Sequence, residues 1–500
     1  MSLDDNQLQA LRKGFWQEHD RFLKSTLVTE QPHPRTEALS SLAQKDLAQA
    51  IAILKEIDLG VLQTLKQDQN QFIALQQAII KTFEQKGRVF ICGCGATGRL
   101  AVSLEVLFRR RFPDLSGSVF GLIAGGDTAL IRSIEKFEDR KDFGIRQLQE
   151  AGFEKNDLLL SASAGGESPF VLGAVEYAAI NSEHKPWLLY CNPDPMLIMR
   201  NANHPSANPN IISWSLVVGP MALTGSTRMQ ATTAMMAAIG LPLLNWQENL
   251  NVHSEIQKFI ACLQAADFGQ LQNFISKEAQ AYENKEPVLY VSDENSALTV
   301  LTDTTERSPT FNLPPFDNRI DQSSQSSNCY LMLQEKPDAK AAWYALLQRT
   351  PHALNWPDAP ITSTDYLYGY DFSEQVRIWR HHPKNHEFMI QSVENKILWQ
   401  FENGCAQFDT MGLSLFWQQL LLKLLLNIHS TLVMGKLGLY EGNLMTSLNP
   451  SNYKLIDRAI RYTRYRYQSI TGKDLSYEII AEAVFAELAR LKPGQSIVHN

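Results

Sequence analysis

Three short stretches of this 500-residue chain gather glycine, serine and threonine as an oxyanion site would require. The first, Gly93-Cys94-Gly95-Ala96-Thr97-Gly98-Arg99, follows an apolar run and opens a helical pattern. Glycines let backbone approach a ligand closely, and a helix start offers unpaired N–H groups with a partial positive charge. The second is Ser161-Ala162-Ser163-Ala164-Gly165-Gly166-Glu167-Ser168-Pro169, with Pro169 at a first-turn position. The third is Thr224-Gly225-Ser226-Thr227-Arg228-Met229. Taken singly, each is equally an ordinary tight turn or an N-cap. Three at the C-terminal ends of strands in one sheet mark the edge where open α/β sheets bind ligands. Hydroxyls and amides, rather than lysines, suit a sugar phosphate with several hydrogen-bonding oxygens. A dinucleotide fits less well, because GxG followed by xGR lacks the GxGxxG spacing and no acidic residue ends the next strand.

The elements that must position these loops read as follows. Arg88 to Cys92, Val119 to Ile123, Asp157 to Ser161, Trp187 to Cys191 and Ile211 to Val218 are strand candidates, mostly separated by helical patterns. That alternation predicts a parallel sheet covered on both faces. A weaker second round follows the helical segment 251–287, with strands at Val288 to Val291, Cys329 to Leu333, Phe388 to Val393 and Ile397 to Phe401. The repeated order suggests an internal duplication of about half the chain. Pro351 to Ser373, rich in Pro, Asp, Thr and Tyr, is expected to be a long surface loop. The apolar run Leu413 to Met434 carries Gln418, Gln419, Lys423, Asn427 and His429, so it reads as a core helix rather than a membrane span. The region from Gly438 is helical; Arg458, Arg461, Arg464 and Arg466 are spaced as on a solvated helix face with carboxylate partners. The expected division is a helical segment 1–60, domains 61–250 and 251–437, and a helical cap 438–500.

Composition narrows the class. The chain is 44% hydrophobic and 20% charged, enough for sizeable cores. It carries 46 basic and 53 acidic residues, net −7, which argues against nucleic acid as a partner. No apolar core follows a basic start in the first twenty residues, so no secretory signal is expected. The cysteines Cys92, Cys94, Cys191, Cys262, Cys329 and Cys405 are scattered without paired CxxC spacing. Zinc and a disulfide framework are therefore not expected, and a cytoplasmic location is. No metal, cofactor or membrane partner is anticipated.

A resemblance then becomes specific. Thr29-Glu30, Gly93 to Leu100, Gly121 to Gly126, Glu138-Asp139, Cys191-Asn192-Pro193 and Thr224 to Met229 occur in the order found in sugar isomerase (SIS) domain proteins. The group is that of N-acetylmuramic acid 6-phosphate etherase and the glucokinase regulatory protein. Asn427 to Thr431, Gly435-Lys436, Gly442 to Met445 and Asn452-Tyr453-Lys454-Leu455 continue the match after an interruption of about a domain's length. The resemblance implies an α/β fold of two tandem SIS domains, each flavodoxin-like with a parallel sheet in a three-layer α/β/α arrangement. They would form a pseudo-dimer within one monomeric chain, with a helical N-terminal segment and a helical cap.

It also implies a site. Ligand contacts are expected at Gly95, Ala96, Thr97, Gly98, Ser161, Ser163, Gly165, Ser168, Thr224 and Ser226, with Lys436 arriving from the second domain. Glu138 and Glu306 are the candidate catalytic carboxylates, or grips on sugar hydroxyls. Leu107 stands where the etherase carries a glutamate, and Gly165 and Glu167 replace its serine and arginine. In the second domain Val291-Ser292-Asp293-Glu294-Asn295-Ser296 occupies the place of the glycine-rich loop, where two acids would repel a phosphate. Two functions compete. One is a phosphosugar sensor, for a fructose phosphate or an amino-sugar phosphate, that regulates a partner such as a sugar kinase. The alternative is an etherase-like lyase removing a lactyl ether, which needs a base and a second acid/base group. Leu107, Gly165 and Glu167 rank the sensor first, with etherase turnover absent or very slow.

Overall fold

The computed structural model describes residues 5–24, 26–321, 326–382, 384–448, 450, 452–491 and 495–498. The first five apolar runs are strands β1 (Val89–Gly93), β2 (Val119–Ile123), β3 (Leu158–Ala162), β4 (Trp187–Tyr190) and β5 (Ile212–Ser215). They form one sheet in the order β2-β1-β3-β4-β5, every pair parallel. Alternate residues feed two cores: Leu158 and Leu160 face one, Leu159 the other. That is why β1, β3 and β4 are buried throughout and read as unbroken apolar runs. The strand order reverses between β1 and β3, and a crevice opens beyond their C-terminal ends, where Gly93 and Ala162 lie side by side.

The second half repeats the plan and then departs from it. Strands β6 (Val288–Ser292), β7 (Cys329–Leu333), β8 (His386–Val393), β9 (Lys396–Phe401) and β10 (Gly404–Asp409) run in the order β10-β9-β8-β6-β7. β7, β6 and β8 are parallel, whereas β8, β9 and β10 are an antiparallel meander. Glu394 and Glu402 take positive φ (51° and 50°) in the two-residue turns, and hairpins that tight exclude the crossover a parallel pair needs. β10 is an addition to the expected strands; its residues alternate between buried and exposed. The α/β class and the two-sheet plan hold.

The halves share one continuous apolar core. Helix Leu415–Lys436 lies at its centre, buried along nearly its whole length, as its composition requires. Arg349 binds Glu105 and Asp127 of the first half at 2.5–3.3 Å. The segment after it is not the surface loop its composition suggests. Trp356 is 2% exposed and stacks on Phe137 at 5.3 Å, while Tyr370 and Phe372 are fully buried. Trp356, and Tyr366 through Arg132, strap the second half onto the first. The boundary drawn at residue 60 falls inside helix Leu47–Leu65. The cap helices Tyr453–Thr471 and Tyr477–Leu488 pack on the N-terminal helix, with Phe15 against Tyr453 and Phe485. Among the described residues no helix is long and apolar enough to cross a membrane.

Candidate functional site

β1 turns directly into helix Gly95–Arg111, and the glycines divide the work. Gly95 has φ +50°, which only glycine adopts freely. A Cβ at Gly98 would stand 2.5 Å from Ile123 Cγ1, so that glycine serves helix–strand contact. Thr97 Oγ1 donates to the Cys94 carbonyl at 3.0 Å and accepts from the Cys94 N–H at 3.1 Å, locking the turn. The first helical N–H groups, from Gly95 and Ala96, lack intrahelical acceptors.

The second loop leaves β3 in the same direction. Ser163 is 5% exposed, and its Oγ accepts from the Ser168 N–H at 3.4 Å. Asn192 Nδ2 donates to the Gly165 carbonyl. Glu167 is held by buried Arg200 at 2.6 and 2.9 Å, so its charge is answered locally. In the third loop Gly225 (φ +73°) leaves room for Arg458, which donates to the Gly225 carbonyl at 2.9 Å. Ser226 is 4% exposed, and its Oγ has no partner among the described residues.

These loops border one cavity of about 160 Å3, to which Gly95, Ala96, Thr97, Ser163, Gly165, Ser168 and Ser226 all contribute. Glu138 from the first half and Glu306 from the second both line it. Five of the lining carboxylates carry a cation each: Glu138 with Lys454 at 2.7 Å, Glu306 with buried Arg99, and Glu30 with Arg458 at 2.7 and 2.8 Å. Asp457 with Arg461 and Glu167 with Arg200 complete the set. Burial pulls the Lys454 ammonium down, but Glu138 more than restores it, leaving it above the ordinary lysine range. Burial also works against the Arg458 charge, and Glu30 overcomes it. Burial and the Glu138 charge push the Cys94 thiol well up, so it stands as an unreactive wall. With the cations engaged, an anion here meets N–H groups and hydroxyls.

Four expected contacts lie outside the cavity lining. Ser161 is inside β3 and Gly98 inside the helix. Thr224 joins the halves: its N–H donates to the Asn443 carbonyl at 2.8 Å, and its hydroxyl bonds Asn443 Oδ1 at 3.1 Å. Lys436 ends the core helix at Gly435, whose missing Cβ makes room for Tyr440 and Ala43; the turn is a packing turn. The lysine at the cavity is Lys454.

Sequence reasoning also missed Glu30, Arg99, Arg200 and Arg458. The signal for Arg458 was there, in its spacing with Lys454 and Arg461 at one to two helical turns, but the stripe read as solvated. Half of it is: Arg464 and Arg466 pair with Asp474 and Glu441 at the surface. Arg458 is 5% exposed. Arg461 binds Asp457, Thr26 and the Phe22 carbonyl, so with Glu30 on Arg458 the residues Phe22, Thr26 and Glu30 are clasped to the cap over the cavity.

At the corresponding edge of the second sheet, Asp293 Oδ1 accepts from the Ser296 N–H at 2.7 Å and Oδ2 from the Ser392 N–H at 2.7 Å. Its carboxylate fills the place an anion would take. Glu294 is paired with Lys336, and Arg110 of the first half covers Glu294 and Asn295.

Residues 71–179 match the glucokinase regulatory protein N-terminal SIS domain family. The N-acetylmuramic acid 6-phosphate etherase of Aliivibrio fischeri (strain ATCC 700601 / ES114) is 32% identical over 221 residues, 43% of this chain and 68% of that enzyme. The etherase of Salmonella enteritidis PT4 (strain P125109) is 33% identical over 216 residues, with the same coverages. Among solved structures, the C-terminal domain of glucosamine-fructose-6-phosphate aminotransferase from Francisella tularensis aligns with a TM-score of 0.39 and 9% identity. That alignment covers 78% of this chain and 95% of that one.

Proposed function

The chain belongs to the N-acetylmuramic acid 6-phosphate etherase family, and from that premise we propose that its cavity binds one sugar phosphate and acts on it as a carbon–oxygen lyase of the etherase kind. The observation that carries this reading is that Glu138 and Glu306, from different halves, line the same cavity. Eliminating an ether needs one group to take a carbon-bound proton and another to serve the ether oxygen and water. Two carboxylates flanking one ligand supply both. The phosphate is received by the first-turn amides of Gly95 and Ala96 and the hydroxyls of Ser163 and Ser226. Lys454 holds Glu138 from the cap.

The test is lactate release from N-acetylmuramic acid 6-phosphate. Wild-type protein is expected to release lactate, and Glu138→Gln and Glu306→Gln to fall to background. Tight binding without any release by the wild type would instead favour a second reading: a phosphosugar sensor of the glucokinase regulatory type that acts on a partner such as a sugar kinase. The match of residues 71–179 and the changed residues Gly165 and Glu167 support that reading. Sequence alone ranks the sensor ahead; the shared cavity and the etherase relatives support the opposite order. In either case the protein works as a monomer, since its second half covers the face an identical partner would use. Sedimentation showing an obligate dimer through that face would refute this. Six free cysteines, five of them wholly or partly buried, support a reducing cytoplasm.

A further inference from the structure

Arg99 follows the first loop, on the first turn of its helix, and its side chain is fully buried. Nε donates to the Leu130 carbonyl at 3.2 Å and Nη1 donates to Glu306 Oε1. Glu306 belongs to helix Glu294–Phe311 of the other half, 207 residues further on. It makes no other hydrogen bond among the described residues, so Oε2 keeps its full capacity to accept. One helical turn earlier Asp303 is held by Arg228 of the third loop at 3.0 Å. Two first-half arginines therefore grip neighbouring carboxylates of a single second-half helix. The Glu138–Lys454 pair is different in kind: its lysine side chain is 40% exposed, whereas that of Arg99 is fully buried. A buried guanidinium is costly unless a carboxylate answers it, and a glutamate side chain ordered in advance spares a ligand the entropy of ordering it.

We propose that Arg99 is a positioning residue: by occupying Oε1 it fixes Glu306 in the cavity wall and presents Oε2 to the sugar. This rests on the phosphosugar reading above. Arg99 stays out of contact with ligand and acts only through Glu306; the phosphate is held elsewhere, by loop amides and serines.

The experiment is calorimetry on the intact protein with N-acetylmuramic acid 6-phosphate, fructose 6-phosphate and inorganic phosphate. The variants are Arg99→Lys, Arg99→Gln, Glu306→Gln and the double variant Arg99→Gln/Glu306→Gln. Arg99→Gln is expected to weaken sugar-phosphate binding roughly ten- to a hundredfold, the loss that goes with a charged hydrogen bond. Inorganic phosphate affinity should stay within about twofold, and Arg99→Lys should recover part of the loss. In the Glu306→Gln background Arg99→Gln should cost nothing further. Three results overturn the proposal: additive losses in the double variant, unchanged sugar-phosphate affinity in Arg99→Gln, or loss of inorganic phosphate binding along with the sugar. A wild type that binds neither sugar phosphate overturns the functional reading and the proposal with it.

Discussion

Ser226 keeps a buried hydroxyl that no partner satisfies among the described residues. A buried polar atom left unpaired costs about 1–3 kcal/mol. In Ser226→Ala that cost disappears from the ligand-free protein, so thermal stability should hold or rise. Sugar-phosphate binding should weaken by about 1–3 kcal/mol in calorimetry. A fall in stability with binding unchanged would make the hydroxyl structural. Thr97 is the opposite case, because both functions of its hydroxyl are already spent on Cys94. At this scale the sequence told residue types better than residue roles. The three loops were legible because glycine and serine at strand ends have few other uses. Lys436 and Lys454 were not separable, since both follow matching motifs and only the packing turn at Gly435 directs one away. Arg99 carried no signal, because its partner lies 207 residues distant.

Helix Leu47–Leu65 meets helix Leu415–Lys436 through charge as well as apolar surface. Lys423 Nζ donates to Thr233 Oγ1 at 2.6 Å, and that hydroxyl donates to Asp58 Oδ1 at 3.3 Å. Burial pushes the Asp58 carboxyl up to about 6 and pulls the Lys423 ammonium down to about 8. Asp58 holds its proton longer folded than unfolded, so its contribution to stability falls as pH rises from about 4 to 6. Lys423 loses its proton sooner folded than unfolded, so its contribution rises between about pH 8 and 10. Together they leave a trough between pH 6 and 8. Thermal melts across that range should show it, and Asp58→Asn with Lys423→Met should flatten it without loss of stability at pH 7. A trough that survives the double change would place its origin elsewhere. The elements themselves were largely readable, since period and turn chemistry fix them. The polar composition of the 351–373 strap hides what Trp356 does once the first half is present to receive it, and that Tyr370 and Phe372 are buried in the core of the second.

For the whole molecule, pseudo-symmetry of fold goes with asymmetry of site. Calorimetry should find one sugar phosphate per chain, since the second loop edge is occupied by the Asp293 carboxylate and covered by Arg110. Two equal sites would contradict this. The duplication was legible as a repeated order of elements, and the three residues between the strand candidates ending at Val393 and starting at Ile397 already exclude a parallel crossover; β10, whose residues alternate between buried and exposed, was not legible. The clasp of Phe22, Thr26 and Glu30 by Arg458 and Arg461 has a consequence in time. A chain is made from its N-terminus at about 5–20 residues per second. The clasping arginines are 428 to 439 positions later than the groups they hold. The first sheet and its three loops, complete at Met229, therefore leave the ribosome roughly ten to fifty seconds before the arm can be fastened. An interruption of synthesis between Met229 and Tyr453 yields a sheet whose ligand edge is built but never roofed.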